Sequence, residues 1–369
     1  MALQLPLPSL LPLSLSILAL AAATMWFFTR KNHFELEGRT ILITGSSQGM
    51  GREVAALCAR KGAHVIIVAR NEAKLASALE YIRGAAKSPS QRFTSLSADL
   101  TSSSENIRVL AEATEWNNNA LPDIVWANAG SALPRLFLDT NVETLRAQMD
   151  VNYWAAAYLA HATLKAWLTP LSVSAPPLPP AAAAAAAETG PLKPRHFVIT
   201  SSVIAFAGLA GYAPYGPAKS ALRSLGDNLS HEMNLYNGAL AAPGAPRLPE
   251  TKIHVVFPGT ITSPGLELEN QVKHPVTQML EEGDVVQSEA EVAAAAVRGL
   301  ERGEALVTTQ ILGHVMRWGM LGNRRNGWGV VDAFVGGVVN WVWCFVGPDM
   351  ERKVWKWGKE KGISDGRAK

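Results

Sequence analysis

Residues 40–51 read TILITGSSQGMG, a short apolar and β-branched run followed by a turn that contains three glycines. The run has the length and composition of a strand buried inside a parallel sheet. The glycines let the backbone turn tightly and let a pyrophosphate approach the free N–H groups at the start of the next helix. This Gly-x-x-x-Gly-x-Gly turn predicts a dinucleotide site formed by Gly45, Ser46, Ser47, Gln48, Gly49, Met50 and Gly51.

Strand-like and amphipathic segments alternate through the central part of the chain. The predicted strands are residues 40–44, 64–69, 94–96, 124–127, 196–200, 253–257 and 305–308, and the amphipathic stretches include 51–60, 141–167, 215–235 and 290–300. This alternation is typical of a parallel sheet covered by helices on both faces. We therefore predict an α/β fold with a doubly wound, Rossmann-type parallel sheet in a domain at residues 38–309.

Two segments interrupt this alternation. Residues 171–194 contain the run APPLPPAAAAAAAETGP, and residues 237–249 read NGALAAPGAPRLP. Neither has an amphipathic period, so both are predicted to be disordered surface insertions that carry no chemistry. The poly-Ala run could form a few turns of helix, but nothing would bury that helix.

The chain begins with an uncharged, largely apolar run that ends at Arg30. Its length suits a transmembrane helix that anchors the protein through residues 1–30. A cleaved signal peptide is the alternative, but no positive residue precedes the run, and the run is longer than a usual signal h-region. Arg30, Lys31 and His33 lie at its end, and the positive-inside rule then places the remaining chain in the cytosol.

The C-terminal extension, residues 310–369, is rich in Trp and aliphatic residues, and six of the 11 Trp follow residue 315. Residues 328–346 carry a single charge, on Asp332. This segment could contact the membrane, either as a second span or in the plane of the interface. It could equally cover a substrate cleft or join a homo-oligomer, because Asp332 and Asn340 would be costly deep in lipid.

The composition excludes several classes of protein. The net charge of +3 comes from scattered Lys and Arg, so we expect no nucleic-acid partner. Cys58 and Cys344 are the only cysteines, which excludes a disulfide framework and a cysteine zinc site, and no metal is expected. We predict that both thiols are buried and reduced.

The second predicted strand ends at Ala69-Arg70-Asn71, and Lys74 follows one helical turn later. An enzyme that binds NAD places an acidic residue here to bind the ribose 2′-hydroxyl group. The guanidinium group of Arg70 instead matches the oxygens of a 2′-phosphate, and Lys74 adds a second positive charge. We therefore predict NADPH as the cofactor. The alternative is a solvated basic pair on a helix surface.

Tyr215 and Lys219 are spaced i and i+4, which places them on one face of a helix. A neighbouring ammonium group stabilises tyrosinate and should lower the pKa of the phenol from about 10. The phenol could then give a proton to a carbonyl oxygen while hydride reaches the carbon. Pro217 is tolerated only in a first turn, so the helix should begin close to Tyr215.

Ser201 and Ser202 stand at the end of the fifth predicted strand, thirteen residues before Tyr215. Their hydroxyl groups could hold a carbonyl or alcohol oxygen, and Ser202 is our choice for this role, with a share for Ser201 left open. A Tyr-x-x-x-Lys pattern alone recurs by chance in long helices. Together with the serine pair and the glycine turn, it indicates an enzyme that reduces carbonyl groups.

These motifs, in this order, resemble the short-chain dehydrogenase/reductase family over residues 38–308. The resemblance implies a catalytic tetrad of Asn152, Ser202, Tyr215 and Lys219. It also implies that Lys219 binds the nicotinamide ribose and that Asn152 holds a water molecule that relays protons. Further cofactor contacts are implied at Asp99, Leu100, Asn128 of the Asn128-Ala129-Gly130 motif, Tyr215, and Ile261 with Thr262 after Pro258-Gly259.

Within this family, the chain is most similar to the 3-ketodihydrosphingosine reductases. The similarity lies in the N-terminal anchor, the basic pair after the second strand, the stretch PGTITSPG at 258–265 followed by Glu267 and Glu269-Asn270, and the apolar C-terminal tail. It implies reduction of 3-ketosphinganine to sphinganine with NADPH at the endoplasmic reticulum membrane, with the catalytic domain facing the cytosol. A substrate with a long alkyl chain resides among membrane lipids, which gives an anchored enzyme a reason to exist.

Two other functions stay open. A membrane-bound steroid or retinoid reductase of the same family would share the anchor and the catalytic residues. A protein that binds NADP without catalysis, as a sensor or scaffold, is also compatible with the fold. Its expected mark is loss of the catalytic Ser, Tyr or Lys, and all of these are present at 202, 215 and 219.

Overall fold

Seven parallel strands form one sheet in the computed structural model, which describes residues 32–172, 192–240, 245–320 and 330–361. The sheet strands are β1 (Thr40–Thr44), β2 (His64–Ala69), β3 (Phe93–Ser97), β4 (Ile124–Ala127), β5 (Arg195–Thr200), β6 (Thr251–Phe257) and β9 (Leu306–Thr308). A separate parallel pair consists of β7 (Ile261–Thr262) and β8 (Gln287–Ser288). The sheet order is β3-β2-β1-β4-β5-β6-β9.

Helices connect and cover these strands. The α-helices are α1 (Gly49–Arg60), α2 (Glu72–Arg83), α3 (Ser103–Trp116), α4 (Val142–Met149), α5 (Ala155–Ser172), α6 (Gly216–Leu240), α7 (Pro264–Val272), α8 (Pro275–Leu280), α9 (Glu289–Glu301), α10 (Ile311–Gly319) and α11 (Val330–Lys361). Short 3₁₀ turns occur at Phe137–Asp139 and Val203–Ala205. One π-helical turn, Asp150–Trp154, lies between α4 and α5.

The strand order reverses between β1 and β4. From β1 the chain builds outward through β2 and β3, then returns to β4 on the other side of β1. Ligands of doubly wound sheets bind at such a reversal, in the crevice outside the carboxyl ends of the strands. The predicted α/β fold with a doubly wound parallel sheet is confirmed, and its reversal point lies directly beside the glycine turn.

Two hydrophobic clusters hold the helices against the two faces of the sheet. Successive residues of β1 alternate between them, with Leu42 in one cluster and Ile41 and Ile43 in the other. Helices α3, α5 and α6 pack on the Leu42 face, and α1, α2 and α9 pack on the opposite face. Both faces of the sheet are therefore buried, which explains why the strands read as continuous apolar runs.

Some predicted boundaries change. The helical stretch predicted at 141–167 is interrupted by the π-helical turn and continues to Ser172, the second residue of the segment predicted as an insertion. The prediction of an insertion at 237–249 is wrong for its first four residues, because α6 extends to Leu240. The amide of Asn237 explains this ordering, since it donates to Thr251 O and accepts from Thr251 N, both at 2.9 Å.

Several predictions fall on residues outside the described ranges. These are the N-terminal anchor at residues 1–30 and the Pro- and Ala-rich run at 173–191. Across the four ranges that are described, no helix combines the length and the apolar character that a membrane crossing needs.

The C-terminal helix α11 packs on its own chain and also presents an apolar surface. Asp332 is 3% exposed and accepts a hydrogen bond of 3.2 Å from Trp318 Nε1 in α10, so protein surrounds its charge. On another side of α11, Phe334, Trp341 and Phe345 are each more than 70% exposed. The exposed aromatic residues are compatible with membrane contact, and the buried Asp332 is compatible with packing against protein. The prediction of two buried thiols is wrong for Cys344, which is exposed on α11, whereas Cys58 is buried.

Candidate active site

The glycine turn after β1 is packed against the loop after β4. Gly45 has φ +64°, and a Cβ atom there would lie 2.7 Å from Ala129 Cα. A Cβ atom on Gly51 would overlap the carbonyl oxygen of Gly45 and lie 2.6 Å from Asn128 Nδ2. Only a hydrogen atom fits at these two positions. Glycine at 45 and 51 therefore lets the turn pack closely against the loop after β4 and the start of α1.

The N-terminus of α1 faces a cavity of about 250 Å³. Gln48 is the N-cap residue of α1, but its side chain does not bond to the N–H groups of the helix; it accepts a hydrogen bond of 2.8 Å from Lys74 Nζ. The first N–H groups of the helix therefore keep their capacity to bind an anion. The residues that line this first cavity include Gly45, Ser47, Gln48, Arg70, Asn71, Lys74, Asp99, Leu100, Ala129, Gly130 and Ser131.

These surroundings fit a dinucleotide. The cavity combines a flat glycine turn with an uncapped helix start, which suits a pyrophosphate. Arg70 and Lys74 are its basic lining residues and are exposed to solvent, and Asp99 is the acidic one. The carboxylate of Asp99 accepts from the amide and the hydroxyl of Thr101 at 3.1 and 2.8 Å. Arg70 follows β2 directly and Lys74 lies in the first turn of α2, so basic residues stand where an acid would be needed for a free 2′-hydroxyl group.

Two residues of the predicted turn point their side chains elsewhere. Ser46 is fully buried; its hydroxyl donates to Ile43 O at 2.7 Å and accepts from Val68 N at 3.1 Å, so it ties β1 to β2. Met50 is 6% exposed and packs in the apolar cluster with α1. The side chains of Ser46 and Met50 therefore contribute to packing, and neither residue is among those that line the first cavity.

Thr200, the last residue of β5, joins the core to the site. Its hydroxyl accepts a hydrogen bond of 2.9 Å from Trp126 Nε1 and donates one of 3.0 Å to Asn128 Oδ1. Its carbonyl oxygen accepts from Lys219 Nζ at 3.0 Å. Thr200 thus fixes two of the predicted site residues at once. We did not single it out from the sequence, although its position directly before the serine pair was a usable signal.

Asn152 lies in the π-helical turn and is fully buried. Its Oδ1 accepts from Ser131 N at 3.1 Å, and its Nδ2 donates to Ser131 O at 2.9 Å and to Gln148 O at 3.0 Å. A Cβ atom on Gly130 would lie 2.8 Å from Asn152 Oδ1 and 3.2 Å from Lys219 Nζ. Asn152 and Lys219 therefore meet at Gly130, and the proton-relay role of Asn152 stays a prediction.

Tyr215 stands immediately before α6, with Pro217 in the first turn of that helix, as the sequence predicted. The ammonium nitrogen of Lys219 is 5.5 Å from the centroid of the Tyr215 ring. Ser202 and Tyr215 line the same cavity, and the hydroxyl group of Ser202 acts to lower the pKa of the Tyr215 phenol. Ser201 differs, because its hydroxyl is buried and donates to Lys219 O at 2.7 Å. Ser202 therefore faces the site, while Ser201 helps to fix the helix that carries Lys219.

The prediction that Lys219 lowers the pKa of Tyr215 is wrong for the protein alone. Burial raises the pKa of Tyr215, the carboxylate of Glu269 raises it further, and the hydroxyl group of Ser202 only partly opposes these effects. Burial also lowers the pKa of Lys219 to about 8. Sequence spacing reports proximity but not burial, and burial dominates here. The raised pKa keeps the phenol protonated at neutral pH, which is the form that donates a proton.

A second cavity, of about 180 Å³, opens beside Tyr215 and Ser202. Residues 129–131 line the first cavity and Ala132 lines the second, so the two cavities share this loop. A proton donor in the second cavity thus stands next to a dinucleotide site, which suits oxidation or reduction of a carbon–oxygen bond. The remaining lining residues are Val203, Ile204, Leu209, Tyr212, Pro258, Gly259, Thr260, Ile261, Ser263, Leu266, Glu269, Glu281 and Asp284.

Glu281, which lines this second cavity, forms a buried ion pair. Lys273, 2% exposed, donates to Glu281 at 2.7 Å, and Glu281 also accepts a hydrogen bond of 2.6 Å from the Tyr212 hydroxyl. This network ties α7 and α8 to the segment just before Tyr215. The sequence prediction missed this network because Tyr212 precedes Glu281 by 69 residues.

Known proteins similar to this chain agree with the geometry. A family described as short chain dehydrogenase matches residues 39–172. A 3-ketodihydrosphingosine reductase of Aspergillus fumigatus is 45% identical over 346 residues, 93% of this chain and 91% of that protein. Another, from Neurospora crassa, is 42% identical over 344 residues, 92% of this chain and 88% of that protein.

Solved structures show the same fold. A short chain dehydrogenase/reductase from Burkholderia phymatum, in complex with NAD, has a TM-score of 0.59 and 16% identity. The match covers 79% of this chain and 98% of that one. At this identity the likeness concerns the fold alone.

Proposed function

This chain belongs to the short-chain dehydrogenase/reductase family, among its 3-ketodihydrosphingosine reductases, and we propose that it uses NADPH to reduce 3-ketosphinganine to sphinganine. The family resemblance drawn from the sequence is confirmed, as is an oxidoreductase that acts on a ketone in sphingolipid synthesis. One observation carries this function: Tyr215 and Ser202 line the same cavity, and that cavity adjoins the dinucleotide cavity.

Each site residue has a part in this reaction. The glycine turn and the N-terminus of α1 would hold the pyrophosphate of NADPH, which supplies hydride to the ketone carbon when bound. Ser202 holds the ketone oxygen, and Tyr215 gives it the phenolic proton, so that an alcohol and a tyrosinate result. Lys219, held at Thr200 O with its ammonium nitrogen 5.5 Å from the centroid of the Tyr215 ring, would bind the nicotinamide ribose, and solvent protons restore the phenol.

The activity is tested by NADPH oxidation with 3-ketosphinganine, a steroid ketone and retinal as substrates. We expect turnover of the sphingoid ketone with formation of sphinganine, identified by mass spectrometry. Turnover of the steroid or retinal without turnover of 3-ketosphinganine would contradict the proposed substrate. NADPH binding without turnover of any carbonyl compound would indicate a sensor.

The choice of NADPH over NADH rests on the basic pair at the end of β2. Each charge-assisted hydrogen bond to a 2′-phosphate is worth about 1.5–3 kcal/mol. Replacing both residues, Arg70→Ala with Lys74→Ala, should therefore raise the KM for NADPH by at least about 100-fold and leave the KM for NADH nearly unchanged. The measurement is steady-state kinetics with each cofactor.

A surface lysine outside the cavity provides the control for this pair. Lys87 pairs with Glu37 on the surface, and Lys87→Ala removes a positive charge without touching the cavity. An equal loss with NADH and NADPH in the double variant would contradict a role in binding the 2′-phosphate.

We further propose that the enzyme works at the endoplasmic reticulum membrane with its catalytic domain on the cytosolic side. Support comes from the apolar run at residues 1–30, from the exposed Phe334, Trp341 and Phe345 of α11, and from a substrate that resides among lipids. In intact microsomes, added protease should digest the catalytic domain. Protection of this domain until detergent is added would contradict the orientation, and recovery in the soluble fraction would contradict membrane attachment.

A further inference from the structure

Glu269 lies in the wall of the second cavity and has no part in the mechanism above. It is carried by α7, on the side of that helix that faces Tyr215 closely enough for its charge to raise the pKa of the phenol. The inference drawn from it rests on the proposed substrate, 3-ketosphinganine.

The other two acidic residues in this wall have partners. Glu281 accepts from Tyr212 and from Lys273, at 2.6 and 2.7 Å, and the side chain of Thr260 acts to lower the pKa of Asp284. Among the residues that the structure describes, no donor hydrogen-bonds to the carboxylate of Glu269. Lys273, the nearest cation along α7, is committed to Glu281. Glu269 is thus the carboxylate of this wall that is left to meet a ligand.

Burial of Glu269 has an electrostatic cost that the protein itself offsets only in part. Burial raises the pKa of Glu269 to about 7, with Lys273 opposing this shift and Glu281 adding to it. A cation placed in the cavity would restore the ionised form and gain from the partly desolvated surroundings. The site therefore favours a positively charged ligand over a neutral ligand of the same shape.

The substrate carries such a charge beside the reacting ketone. 3-Ketosphinganine has a primary amino group on carbon 2, next to the ketone at carbon 3, and a hydroxyl group on carbon 1. A group that binds the ammonium form of this amine must lie beside the groups that hold the ketone oxygen. Glu269 satisfies this requirement, because it lines the same cavity as Tyr215 and Ser202.

We propose that Glu269 binds the ammonium group on carbon 2 of the substrate and so turns the ketone toward Tyr215. The residue then determines specificity, because it distinguishes an amino ketone from a neutral ketone with the same alkyl chain. A charged hydrogen bond that is lost from one substrate only produces selectivity of this kind. The alkyl chain itself contributes nothing to the distinction.

The test compares two substrates in one variant. Glu269→Gln keeps the size of the side chain and removes its charge. We expect kcat/KM for 3-ketosphinganine to fall by about 30- to 100-fold, and kcat/KM for 1-hydroxyoctadecan-3-one, which lacks the amino group, to stay nearly unchanged. The ratio between the two substrates is insensitive to any inactive fraction of the variant, because both are measured on one preparation.

Glu267→Gln is the matched control. It makes the same chemical change two residues earlier on α7, at an exposed residue that does not line the cavity. We expect it to leave both substrates unaffected. An equal fall for both substrates in Glu269→Gln, or no fall for 3-ketosphinganine, would overturn the assignment of Glu269. Failure of the unchanged enzyme to reduce 3-ketosphinganine would instead overturn the proposed function, and it would show before any variant is made.

Discussion

Tyr215→Phe should lower kcat for the reduction of 3-ketosphinganine by about 10²- to 10⁴-fold, the range that a positioned proton donor contributes. The variant keeps the aromatic ring that lines the cavity and loses only the phenolic hydroxyl group. Affinity for NADPH should change little, because the phosphate-binding turn is untouched. Initial rates and a fluorescence titration with NADPH measure these two quantities separately.

Tyr212 offers the control for this variant. It is a second phenol in the same cavity, but its hydroxyl donates to Glu281 at 2.6 Å. Tyr212→Phe should therefore reduce kcat far less than Tyr215→Phe does. Comparable losses in the two variants, or near-normal turnover by Tyr215→Phe, would refute Tyr215 as the proton donor.

Gly45→Ala should weaken NADPH binding by at least about 100-fold and lower the melting temperature. A residue with a side chain pays about 1–2 kcal/mol in the left-handed backbone region that Gly45 occupies. In addition, the new Cβ atom would lie 2.7 Å from Ala129 Cα, so the loop after β4 would have to move. That loop lines both cavities. Cofactor titration and thermal unfolding measure the two effects.

Gly38→Ala separates strain from steric overlap. Gly38 has nearly the same backbone conformation, φ +72°, but nothing lies within 4 Å of a Cβ atom placed there. This variant should lose stability by a similar strain and bind NADPH normally. If Gly45→Ala bound NADPH as well as Gly38→Ala does, the tight packing of the turn would have no role in cofactor binding.

The arrangement of strands could be predicted from the sequence because each strand is buried on both faces. Six of the seven sheet strands both begin and end within one residue of the predicted positions, as β2 and β4 illustrate. β6 starts two residues earlier than predicted because Asn237 pairs with Thr251 from the end of α6. A contact of this kind joins distant parts of the chain and leaves no periodic signal.

The candidate site could be predicted in part, and the gaps have physical causes. Motif residues cluster where the strands end, so the glycine turn, Ser202, Tyr215 and Lys219 were accessible to sequence reasoning. The sequence did not reveal which of two neighbouring side chains faces the crevice. Ser46 shows this, because its hydroxyl group points into the protein and donates to Ile43 O. Burial was equally hidden, and it reversed the expected direction of the Tyr215 pKa shift. The sequence patterns did not predict a chemical role for Glu269, which was noted only as part of the family resemblance.

The π-helical turn at Asp150–Trp154 restricts how this protein can evolve. Each residue of an α-helix rotates the chain by about 100°, so deleting one residue here would restore regular helical bonding and turn Asn152 away from Ser131. The apolar residues of α5 could still fill the core after such a deletion. Substitutions along this stretch are therefore easier to accept than insertions or deletions, and a homologue of different length here would need another way to present an amide at Gly130.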